Sequence, residues 1–149
     1  MSEPESPIVE VRPYFRRDQK DGISPPDLTK ESSYADHIVH ARGKRTRFTS
    51  LTLDLAKCRD FGECAYELQR EATEADRHQV VEHEQLLAEL ERTITHGEKD
   101  DRLKAIHALR YARIRKEGLV DWRFDLSRVE RKEVISWAHR RIQKYFARI

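Results

Sequence analysis

Residues Val120–Leu126 alternate without a break: Val120, Trp122, Phe124 and Leu126 are apolar, and Asp121, Arg123 and Asp125 between them are charged. A period of two puts all four large side chains on one face of an extended strand, so the segment predicts a half-buried strand and cannot be read as a helix. Ser127 followed by Glu130 has the spelling of a helix-start capping box, with Glu130 in its third turn position. The final helix is expected over about Ser127–Ala147, with Ile135, Ala138, Ile142, Tyr145 or Phe146, and Ile149 on its inner stripe.

The rest of the chain is read by the same rules. Strands are expected at Val9–Arg16, with Pro13 marking an edge or a bulge, at Arg47–Leu53 and at Cys64–Leu68. Ser32 or Ser33 can cap a short helix through Tyr34, Ile38 and Val39 that stops at Gly43. Asp54 caps another through Cys58 that ends near Gly62. Helical spacing at Val80, Leu87, Leu90 and Ile94 runs to Gly97. A further helix from Asp101 to Gly118 uses Leu103, Ile106 and Leu109. The fold expected is α+β: a small, mainly antiparallel sheet with a helical C-terminal half. Residues 1–7 are a disordered lead-in and residues 8–149 a single domain, the usual size for 149 residues.

Composition narrows the function classes. Basic and acidic residues number 29 and 27, a net charge of +2, so no global positive field argues for non-specific nucleic-acid binding. No apolar run approaches the ~20 residues of a membrane helix, and the acidic N-terminus lacks the order of a secretory signal. With only Cys58 and Cys64, a disulfide framework is not expected, and we read the chain as a soluble cytoplasmic protein. His83-Glu84-Gln85-Leu86-Leu87 begins like a zinc-protease signature but has Leu87 where the second histidine belongs. His37 and His40 share a helical face and are read as a packed or solvated pair, so no metal site is expected. Cys58, on the inner face of a short helix, reads as core.

The segment Arg45-Thr46-Arg47-Phe48-Thr49-Ser50-Leu51-Thr52-Leu53-Asp54 is dense in hydroxyls, and a strand with Tyr14-Phe15-Arg16-Arg17 and a short helix precede it. This order over about residues 8–68 resembles the front half of the ADP-ribosyltransferase superfamily. In that family a first strand carries an Arg or His among aromatics, and a later strand carries an aromatic and a Ser-Thr-Ser-like triplet. Thr49-Ser50 with Thr52 departs from a strict triplet, and Arg17 stands where many members have glycine.

The resemblance implies an ADP-ribosyltransferase-like fold that binds NAD as substrate and transfers ADP-ribose to a macromolecular acceptor, with a toxin or effector role by analogy. It implies Arg16 on the pyrophosphate, with Arg12 a near neighbour of similar claim, Thr49 and Ser50 lining the nicotinamide pocket, Phe48 beneath them, and Thr52 in the same set. The family's glutamate near the donor ribose often belongs to a Glu-x-Glu pair. Glu82-His83-Glu84 has that spelling within a helical pattern, and Glu130 to Glu133 is the other candidate. Glu84 is the expected carboxylate and Glu133 the reserve. The competing expectation is a non-catalytic module that binds nucleic acid or a protein through the basic C-terminal helix. Its residues would be Arg140, Arg141 and Lys144, with Trp137 and Tyr145 interleaved.

Overall fold

Phe48 and Leu51 of the second strand enter two different cores, one on each face of the sheet, and this fixes the layers. The computed structural model describes residues 12–30, 32–40, 45–71, 79–122 and 130–149. The strands are β1 (Phe15–Asp18), β2 (Phe48–Thr52), β3 (Cys64–Leu68), β4 (Gln79–Val81), β5 (Glu117–Asp121) and β6 (Phe146–Arg148). The helices are α1 (Tyr34–His40), α2 (His83–His96), α3 (Lys99–Arg115) and α4 (Arg131–Arg141), and a 3-10 helix spans Leu55–Phe61. The strands form one sheet in the order β4-β5-β2-β1-β3-β6, with every neighbouring pair antiparallel.

Alternation along β2 and β5 sorts the core onto two faces. Phe48 and Leu119 pack with Ala35 and Ile38 of α1, Leu86 and Leu90 of α2, and Ala105, Ala108 and Ala112 of α3. Leu51, Val120 and Trp122 pack on the other face with Tyr14, Tyr66, Val134, Ala138, Ile142 and Tyr145. The α+β class and the antiparallel sheet are therefore as expected, as are β2 to within a residue at each end and β3 over Cys64–Leu68. Ser33 caps α1, its Oγ accepting the Asp36 N–H at 3.1 Å. Asp54 caps the 3-10 helix by accepting the Ala56 N–H at 3.0 Å. Both cysteines are free thiols, and among the described residues no helix is long and apolar enough to cross a membrane.

Several boundaries differ. β1 ends at Asp18 rather than Arg16, and Val9 and Val11 lie outside the described residues. Val80 belongs to β4, not to a helix. α3 stops at Arg115 because Lys116 turns left-handed at φ 47°, so β5 begins at Glu117 and Gly118 lies inside a strand. Phe124, Leu126, Gly43 and the Ser127 end of the expected capping box lie outside the described residues, and Glu130 is itself the N-cap of α4. Asp121, expected to face water, is fully buried beside Arg47 at 3.1 Å. The last helix gives way at Ile142 to a 3-10 turn and then to β6, which pairs with β3. Its inner stripe uses Val134, while Ile135 and Ile149 face solvent.

α3 departs most from its pattern: Leu109 is buried, but Leu103 and Ile106 are about half exposed, and the inner face is built from alanines. Small side chains let α3 approach α1 and α2 closely, which a leucine stripe would prevent.

Gly118 shows what holds the two halves together. A Cβ built there would lie 2.7 Å from Tyr14 Cε1 and 3.1 Å from the Val81 carbonyl oxygen. The Tyr14 ring cannot swing aside freely, because its hydroxyl donates to Glu82 at 2.8 Å and accepts the His83 N–H at 2.7 Å. Gly118→Ala is therefore expected to cost about 1–3 kcal/mol through overpacking. Urea denaturation checks this; an unchanged midpoint would mean that the ring relaxes without strain.

Candidate functional site

Because β5, β2 and β1 are neighbours, Glu117, Ser50 and Arg16 come from three adjacent strands. Arg16 donates from Nε to Asp18 at 2.7 Å and from Nη1 to the Ser50 carbonyl at 2.9 Å. Asp18 is almost fully buried. Burial alone would raise its carboxyl, but the Arg16 charge and the N–H groups of Ser24 and Gln19 outweigh this and hold it below the usual range. The ionised Asp18 fixes the guanidinium from one side, and the β2 backbone fixes it from the other.

Ser50 points toward α1. Its Oγ lies 2.7 Å from His37 Nε2, and His37 Nδ1 lies 2.6 Å from Thr46 Oγ1. His37 is buried beneath an edge-on contact with Phe48, 5.5 Å between ring centroids. Burial, with the nearby Arg16 charge, lowers its pKa to about 4, so the ring is neutral near pH 7. It can then donate at one nitrogen and accept at the other, so one hydroxyl receives a hydrogen bond and the other gives one.

The Ser50 hydroxyl also hydrogen-bonds the carboxylate of Glu117. Glu117 is 3% exposed, and its Oε2 has no hydrogen-bond partner among the described residues. Desolvation pushes its pKa up to about 7, against the pull of the Ser50 bond and of Arg115 and Arg16. A carboxylate with one oxygen anchored and one open, next to a fixed cation, is the most chemically unusual group among the described residues.

The other expected residues are distributed differently. Thr49 lies on the opposite face of β2, buried, where its Oγ1 accepts the Trp122 Nε1–H at 2.7 Å. Thr52 is buried too; its hydroxyl sits 2.6 Å from the Arg115 carbonyl and accepts the Asp54 N–H at 3.0 Å, tying the end of β2 to the end of α3. Phe48 is buried beneath His37 and Tyr34. Glu84 is exposed at the start of α2 and ion-paired with Arg12, which holds its carboxyl below the usual range. Glu133 is exposed in the first turn of α4, which packs on the face of the sheet opposite α1. Neither glutamate joins Arg16 or Ser50, so the convergent carboxylate is Glu117. Cys58 is buried and its thiol pKa is raised by desolvation, as befits a packed side chain rather than a nucleophile.

Glu117, His37 as a member of the site, and Asp18 are the parts of this cluster that the sequence alone does not single out. A helix running to Gly118 conceals Glu117 within it. No local signal separates it, because glutamate favours a helix as much as the arginines and lysine before it. His37 reads in sequence only as half of a pair with His40.

A cavity of about 450 Å³ opens at the Arg47–Phe48 end of β2, bordered by Tyr34, Phe48, Leu90, Arg47 and Lys104 and by the carboxylates Asp36, Glu89 and Asp101; Arg16, Ser50 and Glu117 do not line it. That size suits a small-molecule site. Among the described residues no group of histidine, cysteine and carboxylate side chains is placed to hold a metal ion. No family model, curated protein or solved structure matches the chain.

The elevated Glu117 pKa makes stability depend on pH. The folded state keeps a proton on Glu117 above pH 4.5 that the unfolded chain has lost, so this group's contribution falls as pH rises from about 4.5 through about 7. Glu117→Gln keeps the size and the hydrogen bond but cannot ionise. It should therefore be more stable than the natural protein at pH 8, on the order of 2 kcal/mol, and similar to it at pH 4. Thermal unfolding at the two pH values tests this; a variant equally stable or weaker at pH 8 would show that Glu117 is solvated.

Proposed function

We propose that the protein is an ADP-ribosyltransferase-like enzyme that uses NAD as substrate, with Glu117 as the carboxylate of its site in place of Glu84 or Glu133. The observation that carries this reading is the convergence of Arg16, Ser50 and Glu117 from three adjacent strands. The buried, unpaired Glu117 Oε2 supports it, because a ribose hydroxyl is a donor of the kind that atom lacks.

The chemistry assigned to these residues is simple. The bond between ribose C1′ and the nicotinamide nitrogen breaks, and its electron pair leaves with the nicotinamide, which departs neutral. Positive charge builds at C1′ and O4′. Ionised Glu117 accepts a hydrogen bond from the ribose and opposes that charge in a buried site. Arg16, already oriented by Asp18, offers its remaining N–H groups to the pyrophosphate. Ser50, held by His37, keeps Glu117 in position. An acceptor nucleophile then attacks C1′ and loses its proton.

The other class, a binding module using the last helix, has Arg140, Arg141 and Lys144 exposed as it needs. Tyr145 is not available to it, being buried against Trp122 at 5.1 Å between ring centroids. The enzyme reading uses more of what is unusual in the structure, so we favour it.

Release of nicotinamide from NAD, measured by chromatography, is the test. Glu117→Gln should lower turnover by about a hundredfold or more with NAD affinity nearly kept, since only the charge is removed. Glu84→Gln and Glu133→Gln should retain it. In the natural protein the rate should rise with pH to a plateau above about 7, as Glu117 ionises. Full turnover in Glu117→Gln would reject the assignment; no nicotinamide release and no NAD binding by the natural protein would reject the enzyme.

A further inference from the structure

Next to the Glu117 site the surface changes character. Phe61, at the end of the 3-10 helix, is 45% exposed, and Tyr111 and Ile114 on the outer side of α3 are 43% and 55% exposed. Between the rings lies Arg115, its guanidinium 4.6 Å from the Phe61 centroid and 5.1 Å from that of Tyr111. Two large aromatic rings left in water around a cation are unusual on a surface with no partner. Each ring retains an accessible area that a planar group could cover.

The charge on the α3 side of them is basic, whereas Asp60 and Glu63 flank Phe61 in sequence. Residues 110–116 carry Arg110, Arg113, Arg115 and Lys116 and no acid, in a chain whose net charge is only +2. Lys57 and Arg59 are exposed on the adjoining 3-10 helix. Arg113 is paired with Glu91 at 3.0 Å, whereas Arg115 has no ion-pair partner among the described residues. The patch adjoins the site directly. The Arg115 carbonyl lies 2.6 Å from the Thr52 hydroxyl, and its side-chain charge acts on Glu117.

We infer that the Phe61–Arg115–Tyr111 face holds single-stranded nucleic acid and presents it to Glu117 as the acceptor of ADP-ribose. Exposed rings stack on bases without regard to sequence, and flanking arginines and lysines follow the phosphates. An acidic protein segment would satisfy the cations but would leave the ring faces without a planar partner. Position 115, two before Glu117, bears a cation, so the approach to the carboxylate from this side favours an anionic acceptor over a cationic one. On chemical grounds the nucleophile is a base nitrogen or a phosphate oxygen of the bound strand. It forms the new bond to C1′, and the neutral nicotinamide is released; a base nitrogen that attacks also gives up its proton. The acceptor role rests on the enzymatic reading above, whereas the binding face does not.

The experiment separates the two. Binding of a fluorescein-labelled single-stranded DNA of roughly 12 nucleotides to the full chain is followed by fluorescence anisotropy without NAD, between about 50 and 200 mM salt. Affinity should fall steeply with salt. Phe61→Ala with Tyr111→Ala should weaken binding about tenfold or more at fixed salt, with the salt slope kept, as expected when stacking is removed. Arg110→Ala with Arg115→Ala should instead reduce the slope, by roughly 0.7 for each phosphate no longer neutralised. Tyr111→Ala alone, with its fold checked by circular dichroism, serves if the double variant does not fold.

Glu117→Gln should bind as the natural protein does but, with NAD added, fail to label the strand. Absence of salt-dependent binding, or equal binding by the ring variants, overturns the proposal. Displacement of the strand by an equal concentration of poly-glutamate gives the face to an acidic protein and also overturns it. Nicotinamide release with an unlabelled strand removes the acceptor role alone. Tight strand binding without any nicotinamide release removes the enzymatic reading and the acceptor role together.

Discussion

The run of hydrogen bonds from Thr46 through His37 and Ser50 to Glu117 is the constraint around which the rest is arranged. Buried polar groups are tolerated only when paired, so each member fixes its neighbour. His37 needs two hydroxyl partners within reach, which sets α1 against the start and middle of β2. Ser50 must reach both His37 and Glu117, which fixes the register of β2 against β5, where Ser50 is opposite Leu119 and Thr52 opposite Glu117. A larger apolar residue at position 50 would leave His37 Nε2 and the Glu117 carboxyl without their Ser50 partner at once, at a cost of about 1–3 kcal/mol for each group.

Around that run the sheet is covered on both faces, and this explains why some elements are legible in the sequence and others are not. Local chemistry marks β2, β3 and the caps at Ser33 and Asp54, since capping and strand propensity act over a few residues. Non-local pairing decides β4 and β6. Three residues of each would be unstable as strands alone, and they exist because β5 and β3 offer free edges. The last helix is shorter than its pattern predicts for the same reason: Phe146 gains more against β3 than it would in another helical turn. The alternation at Val120–Trp122 holds, but its polar half does not face solvent, because α2 and α3 cover the side on which Asp121 lies.

Half of the site is visible in the sequence. Arg16 and Ser50 stand out by their immediate neighbours, a strand with aromatics and a strand with hydroxyls. The carboxylate does not, because nothing near Glu117 in sequence announces that β5 pairs with β2. Thr49 is separable from Ser50 on paper, since successive strand residues face opposite ways, and only one of the two can share a pocket with His37. In α3 size misleads. Leu103 and Ile106 have the bulk and spacing of a core stripe, whereas the close approach of three helices selects alanine where they touch.

His37 and Glu117 together make unfolding nearly silent to acidity over part of the pH range. Burial lowers the histidine from 6.5 to about 4 and raises the glutamate from 4.5 to about 7. Between roughly pH 4.5 and 6.5 the folded pair is a neutral imidazole beside a protonated carboxyl, while the unfolded pair is an imidazolium and a carboxylate. Opening the fold there moves a proton from one residue to the other and exchanges little with the solvent. The two linkage slopes are opposite in sign there, so a buried acid and a buried base that would each tilt stability with pH largely offset one another.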